Sequence, residues 1–174
     1  MKELILGGAR SGKSALAERL AGESGLDVVY IATATAGDAE MADRIRHHQA
    51  RRPGHWKLVE APMQLAEALR VADGPERCII VDCLTLWLTN LLLAGESVFQ
   101  TQRQALLDTL PGLAGRMILV GNETGMGVVP MGELSRRFVD ESGRLHQALA
   151  VACDRVTLTV AGLPHVLKGE PIEF

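Results

Sequence analysis

The sequence predicts an α/β fold, a mostly parallel sheet with helices on both faces. Three observations carry that prediction. Short apolar runs alternate along the chain with longer helical patterns. Several of those runs are nearly continuous in Val, Ile and Leu, as strands covered on both faces require. A glycine-rich loop, GGARSGKS over residues 7–14, joins the first strand to the first helix, which places the chain in the P-loop NTPase type of this class.

Taken in order, the strand-like runs are ELILGG (3–8), VVYIATA (28–34), WKLVEA (56–61), CIIVDCL (78–84), MILVGNE (117–123) and RVTLTVAG (155–162). HVLKG (165–169) is a short last strand. Helical patterns fill 13–24, 39–51, 63–71, 85–93, 99–107 and 132–152. The second of these, GDAEMADRIRHHQARRPG, takes Asp38 as its N-cap and ends at Pro53-Gly54. LTLWLTNLLLA (84–94) is the most apolar helix. It falls well short of the about 20 residues a membrane span needs and carries Thr85, Thr89 and Asn90, so it reads as a buried or subunit-facing helix. Residues 94–116 carry no motif, and there is no repeat, low-complexity tract or linker. A length of 174 residues therefore reads as one nucleotide-binding domain over 1–174.

Composition narrows the function classes. A formal charge of −3 gives no surface-wide attraction for nucleic acid, and 3% aromatic residues supply no base-stacking platform. Cys78, Cys83 and Cys153 form no CxxC pair and lie in or beside apolar runs, the pattern of reduced thiols in a cytoplasmic protein. The N-terminal apolar run is too short for a signal peptide.

The loop over 7–14 fits G-x-x-x-x-G-K-[ST], with Gly7, Gly12, Lys13 and Ser14 in the fixed places. Glycines let backbone N–H groups converge on phosphate oxygens, and the following helix adds its positive end. Lys13 reaches the terminal phosphates, and the Ser14 hydroxyl can ligate Mg²⁺. The template asks for an acid at the end of another buried strand; CIIVD supplies Asp82, whose other reading is a helix cap. Glu123, ending MILVGNE, is a second acidic candidate on the same rim or else a loop carboxylate. The following NETGMGVVP carries the glycines of a mobile lid or of an ordinary connection. No NKxD element is present.

Helical spacing separates the two adjacent histidines. Met41, Ile45 and His48 form one apolar stripe, while Arg44, His47 and Arg51 form a cationic face. His48 reads as a packing or orienting residue, and His47 as the one turned toward an anion. A neutral imidazole is a competent nucleophile near pH 7. Attack on the α-phosphorus of a nucleoside triphosphate would expel pyrophosphate and leave a phosphoramidate, which could pass the nucleotide to an acceptor phosphate. Four other readings stand beside this one. The face is a solvated basic surface; His47, His48 and His55 bind zinc, although no cysteine or nearby carboxylate completes a standard ligand set; the chain is a P-loop small-molecule kinase in which His47 only binds phosphate; or it is a nucleotide-binding regulator without transfer chemistry.

The chain resembles the bifunctional adenosylcobinamide kinase / adenosylcobinamide-phosphate guanylyltransferase family. The carriers are GGARSGKS at Gly7, YIATA at Tyr30, DAEMADRIRHHQARRPGHW from Asp38, VDCLTLWLTNLL at Val81 and GNETGMGVVP at Gly121. The resemblance spans nearly the whole chain. It implies a P-loop domain with one antiparallel strand, a homotrimer, and ATP and GTP as substrates with adenosylcobinamide as acceptor. It implies that His47 is guanylylated. It also implies that GTP meets Gly7, Gly8, Ala9, Arg10, Ser11, Gly12, Lys13 and Ser14, then Thr33, Ala34 and Thr35, then His48, Gln49, Ala50 and Arg51, and finally Glu60 and Asp82.

Overall fold

The computed structural model describes residues 1–34 and 53–172. The expected helix over 39–51 lies outside the described residues, and so do Thr35, His47, His48, Gln49, Ala50 and Arg51.

The strands are β1 (Lys2–Gly7), β2 (Asp27–Ala32), β3 (Lys57–Glu60), β4 (Arg77–Asp82), β5 (Arg116–Asn122), β6 (Arg155–Val160) and β7 (Leu163–Lys168). They form one sheet in the order β3-β2-β4-β5-β1-β6-β7. Every neighbouring pair is parallel except β6 and β7, so the mostly parallel sheet with one antiparallel strand is borne out. The helices are α1 (Lys13–Gly22), α2 (Leu65–Ala72), α3 (Leu84–Ala94), α4 (Glu96–Thr109) and α5 (Glu133–Ala152).

Alternating residues of β1, β2, β4 and β5 feed two separate apolar clusters. Leu4, Leu6, Ile79, Val81, Met117 and Leu119 pack with residues of α2, α3, α4 and α5. Ile5, Tyr30, Ile80, Ile118 and Val120 pack with Leu16, Ala17, Leu20 and Ala21 of α1. Both sheet faces are therefore covered by helices, which is why the central strands read as unbroken Val, Ile and Leu rather than as an alternation.

The apolar helix is a core element. Leu84, Trp87, Leu88, Leu91 and Leu92 of α3 are buried, each contributing roughly 1.5–3 kcal/mol over exposure. The Trp87 indole N–H donates to the Met63 carbonyl at 2.8 Å, so its polar edge is satisfied as well. The motif-free stretch is mainly α4, which starts three residues earlier than the expected helix at 99. Gly95, at φ +110°, turns the chain between α3 and α4. Phe99, Leu106, Leu110 and Leu113 then bury themselves over the α2–α3 side of the core.

One buried charge network lies near the start of β1, toward the opposite end of the strands from the glycine loop. Glu3 is 1% exposed. Its carboxylate accepts from Arg116 Nε at 2.8 Å and Arg155 Nε at 2.9 Å, with further contacts from both guanidinium Nη2 atoms. β5 and β6 flank β1 directly, so the two arginines arrive from either side. The three cysteines are free; Cys78 and Cys153 are buried and Cys83 half-buried. Burial pushes the Cys153 thiol up to about 12, so it is unreactive at neutral pH.

Candidate active site

Strand register gathers the glycine loop and several candidate acids at the C-terminal edge of the sheet. Gly7 pairs with Asn122, Asp82 with Val120, and Ala32 with both Asp82 and Glu60. Ligands of open α/β sheets bind along this edge. β4 stands two strands from β1, about 10 Å away, and β3 four strands away, about 19 Å. Asp82 therefore sits near the phosphate loop, while Glu60, exposed at the end of β3, sits far along the rim.

The loop itself is held from below. Gly7 is buried, and a Cβ added there would lie 2.6 Å from the Thr159 carbonyl oxygen and 2.4 Å from Ser11 Oγ. Gly12 adopts φ +96°, and a Cβ there would meet Gly162 Cα at 3.0 Å. Only glycine fits either place, for reasons internal to the protein. Gly8 differs: an added Cβ meets nothing within 4 Å, so its bare face opens outward. Gly8, Ala9 and Arg10 are exposed, and Arg10 takes a left-handed φ of +57°. Lys13 Nζ lies back across the loop, donating to the Gly8 carbonyl at 3.1 Å. The N-terminus of α1 has no side-chain cap and no acidic residue in its first turn, so its positive end is left for an anion.

The hairpin between β6 and β7 supplies an unexpected support. Ala161 and Gly162 form its two-residue turn, both at positive φ (+52° and +80°). The Gly162 N–H donates to the Ser11 carbonyl at 2.9 Å, which seats the turn under the glycine loop. Two buried hydroxyls at this junction, Ser11 Oγ and Thr159 Oγ1, have no hydrogen-bond partner among the described residues.

Asp82 ends β4 half-buried, and Tyr30 Oη donates to its Oδ2 at 2.8 Å. The expected strand ran on to 84, but it stops at Asp82. Thr33 Oγ1 accepts the Cys83 N–H at 2.9 Å and donates to the Cys83 carbonyl at 2.7 Å, which diverts both backbone groups from the ladder. Thr33 is fully buried, and its side chain is spent on this clamp. Its carbonyl accepts from Asn90 Nδ2 at 3.0 Å, and the same amide reaches the Pro62 carbonyl at 3.0 Å. The ends of β2 and β4 are thereby tied to α3 and to the turn after β3. Tyr30 and Asn90 had no assigned role in the sequence reading; a buried polar residue in an otherwise apolar run is the signal that marks such braces.

Glu123 follows β5, and its backbone N–H donates to the Gly7 carbonyl at 3.0 Å. Its Oε1 accepts the Gly125 N–H at 2.6 Å, and its Oε2 lies 4.0 Å from His146 Nδ1. The His146 ring packs over Gly121, where a Cβ would fall 2.9 Å from Nε2. Burial lowers the His146 pKa below the usual 6.5, outweighing the pull of the Glu123 carboxylate, so the ring is neutral at pH 7. Beyond Glu123 the loop exposes Met126, Val128, Val129 and Met131, and Arg136 ties it to α5 through the carbonyls of Pro130 and Met131.

A family profile described as cobinamide kinase / cobinamide phosphate guanyltransferase matches residues 3–167. The chain belongs to that family. It is 65% identical over 173 residues to the bifunctional adenosylcobalamin biosynthesis protein CobP of Pseudomonas aeruginosa, covering 99% of this chain and all of the relative. It is 40% identical over 182 aligned positions to CobU of Escherichia coli, also a bifunctional adenosylcobalamin biosynthesis protein, covering 97% of this chain and all of that one. Among solved structures, a Pyrococcus horikoshii protein superposes with TM-score 0.57 at 10% identity, over 98% of this chain and 87% of its own. The RadB recombinase superposes with TM-score 0.52 at 15% identity, over 90% of this chain and 73% of its own. These likenesses bear out the P-loop NTPase-type fold, and the family match bears out the kinase and guanylyltransferase assignment. No described helix is long and apolar enough to cross a membrane.

Proposed function

We propose that this enzyme works in two steps on one acceptor. In the first, the aminopropanol hydroxyl of adenosylcobinamide takes the γ-phosphate of ATP or GTP. In the second, His47 takes GMP from GTP and hands it to the new phosphate, giving adenosyl-GDP-cobinamide. The observation that carries the reading is the shared sheet edge, where the outward-facing Gly8, the uncapped start of α1 and the Asp82 carboxylate stand together in a chain matched along its whole length by bifunctional relatives.

The residues divide the work by position. Gly8 through Ser14 offer backbone N–H groups and the Lys13 ammonium to the phosphates. Lys13 reaches them by leaving the Gly8 carbonyl, a neutral acceptor it exchanges for a charged one. The donor set of Ser14 hydroxyl and Asp82 carboxylate is all hard oxygen, which suits Mg²⁺. Bound there, Mg²⁺ would neutralise charge on the phosphate oxygens. Tyr30 holds one Asp82 oxygen in place, and the Thr33–Cys83 clamp fixes the turn that follows. Glu60, about 19 Å along the edge, matches the ribose and base end of a nucleotide better than its phosphates. Thr33 contributes through the fold it braces, with Ala34 following it.

His47 must reach the α-phosphorus, whereas the loop presents the γ-phosphorus to an acceptor. Serving both reactions requires either the nucleotide or the segment bearing His47, His48, Gln49, Ala50 and Arg51 to change place between steps. Arg44 and Arg51 would steady the phosphoryl oxygens during the attack. The free thiols at Cys78, Cys83 and Cys153 fit a reducing cytoplasm, and the homotrimer that the sequence resemblance implies is carried as part of this proposal.

Incubation with GTP labelled at the α-phosphate tests the scheme. An acid-labile, base-stable covalent label lost in His47→Ala supports it. Phosphorylation of adenosylcobinamide without any such label reduces the chain to a kinase.

A further inference from the structure

We propose that Glu123 is the base that receives the acceptor hydroxyl's proton in the kinase half-reaction. This rests on the kinase reading given above and adds a residue to it. A phosphate-binding loop with a metal-side acid activates the donor; it leaves the attacking hydroxyl without a partner. Asp82 is committed to the metal side. A second carboxylate is needed close to the loop, fixed in position and not neutralised by a cation.

Glu123 meets each of these requirements. Its N–H is bonded to the carbonyl of Gly7, the first residue of the phosphate loop, so its Cα is fixed against the site. β5 lies between β4 and β1, which places the end of β5 between the metal-side acid and the loop. The Asn122 N–H donates to Thr85 Oγ1 at 2.8 Å, bracing the same strand end from α3. The carboxylate is oriented by the Gly125 N–H on Oε1. Among the described residues its one ion-pair neighbour is His146, a ring that stays neutral at pH 7, so no fixed cation holds the proton-accepting electrons. The side chain is 22% exposed, enough to meet a substrate and to pass a proton on to water.

Space for an acceptor lies immediately beyond. A cavity of about 250 Å³ opens at Thr124 and Gly125 and runs between Val128, Pro130, Arg136 and Asp140. It fits an alcohol-bearing arm rather than a whole corrinoid. Val128, which lines it, and Met126 and Met131 of the same loop are exposed and offer apolar contact to a larger group outside.

In the step, the acceptor oxygen forms a bond to the γ-phosphorus. The bond from that phosphorus to the β,γ-bridging oxygen breaks, and its electron pair leaves with the nucleoside diphosphate. The hydroxyl proton passes to the Glu123 carboxylate and from there to solvent.

The test uses the full-length enzyme and the variant Glu123→Gln, which keeps size and an acceptor oxygen for the Gly125 N–H. Three quantities are measured: kinase kcat with adenosylcobinamide, nucleotide Kd with Mg²⁺, and covalent label from α-labelled GTP. The expected result is a kcat loss of about 10²–10⁴-fold, with Kd within about threefold and the label retained. Glu123→Asp, which keeps the base but moves it, should lose less kcat than Glu123→Gln. Kinase turnover within about fivefold of the parent overturns the proposal. So does a parallel loss of all three quantities, which would mark a structural or metal-side role. A parent enzyme that phosphorylates no acceptor overturns the kinase reading, and this assignment falls with it.

Discussion

Gly7→Ala and Gly8→Ala, one residue apart in the phosphate loop, should fail in opposite ways. At Gly7 the new methyl would lie 2.6 Å from the Thr159 carbonyl oxygen and 2.4 Å from Ser11 Oγ. The serine can rotate away, but Thr159 is mid-sheet backbone, paired with Gly7 itself across β1 and β6. Overpacking of this kind costs about 1–3 kcal/mol. For a chain of 174 residues, each kcal/mol moves the melting midpoint by roughly 2–4 °C, so a fall of about 2–12 °C is expected. At Gly8 nothing lies within 4 Å of the new methyl, and stability should stay within about 0.5 kcal/mol. The methyl would instead stand on the face offered to phosphate, and nucleotide affinity should drop at least about tenfold, or ~1.4 kcal/mol. Urea unfolding and nucleotide titration on both variants decide the matter. Equal destabilisation of the two, or an unperturbed Gly7→Ala, would refute the division between an inward-facing and an outward-facing glycine.

Two further outcomes concern buried ionisable groups. Glu3→Gln leaves the Arg116 and Arg155 guanidinium groups without their shared carboxylate and should destabilise by about 3–5 kcal/mol in urea unfolding, with nucleotide affinity little changed because the network lies far from the loop. His146 has a folded pKa below 6.5, so the unfolded chain binds its proton first as pH falls. Its neutral burial therefore contributes stability that is complete above pH 6.5 and is lost progressively as pH falls below that value toward the folded pKa. His146→Gln should flatten the stability profile in that window; an unchanged slope would show that other groups set it.

The sheet was legible because its chemistry is local. Ile79, Ile80 and Val81 announce a strand covered on both faces, and GGARSGKS announces the turn that follows β1. Ends were harder to place. β4 halts at Asp82 because Thr33, 50 residues away, takes the Cys83 backbone groups, and nothing near Cys83 signals that. In the stretch after Ala94 the helical pattern over 99–107 was legible, but α4 runs from Glu96 to Thr109, and its first two residues, Glu96 and Ser97, are polar and exposed, with no apolar residue to mark the start. The phosphate loop was plain in sequence, but its dependence on the Ala161–Gly162 turn was not, since that contact joins residues about 150 apart. Similar distances hid the role of Glu3: nothing in ELIL signals the buried pairing that appears once Arg116 and Arg155 are brought beside it. At the candidate site, Gly7–Ser14 and Asp82 were read from spacing alone, whereas the Tyr30 and Asn90 braces emerged only from three-dimensional contact.

Covalent capture of GMP by His47 is the step on which the two-activity scheme turns. After reaction with GTP and Mg²⁺, peptide mapping by mass spectrometry under alkaline conditions should find a guanylyl group on His47 and on neither His48 nor His55. A guanylyl group on another residue, or an unmodified protein that still converts adenosylcobinamide phosphate to its GDP derivative, would contradict the histidine mechanism.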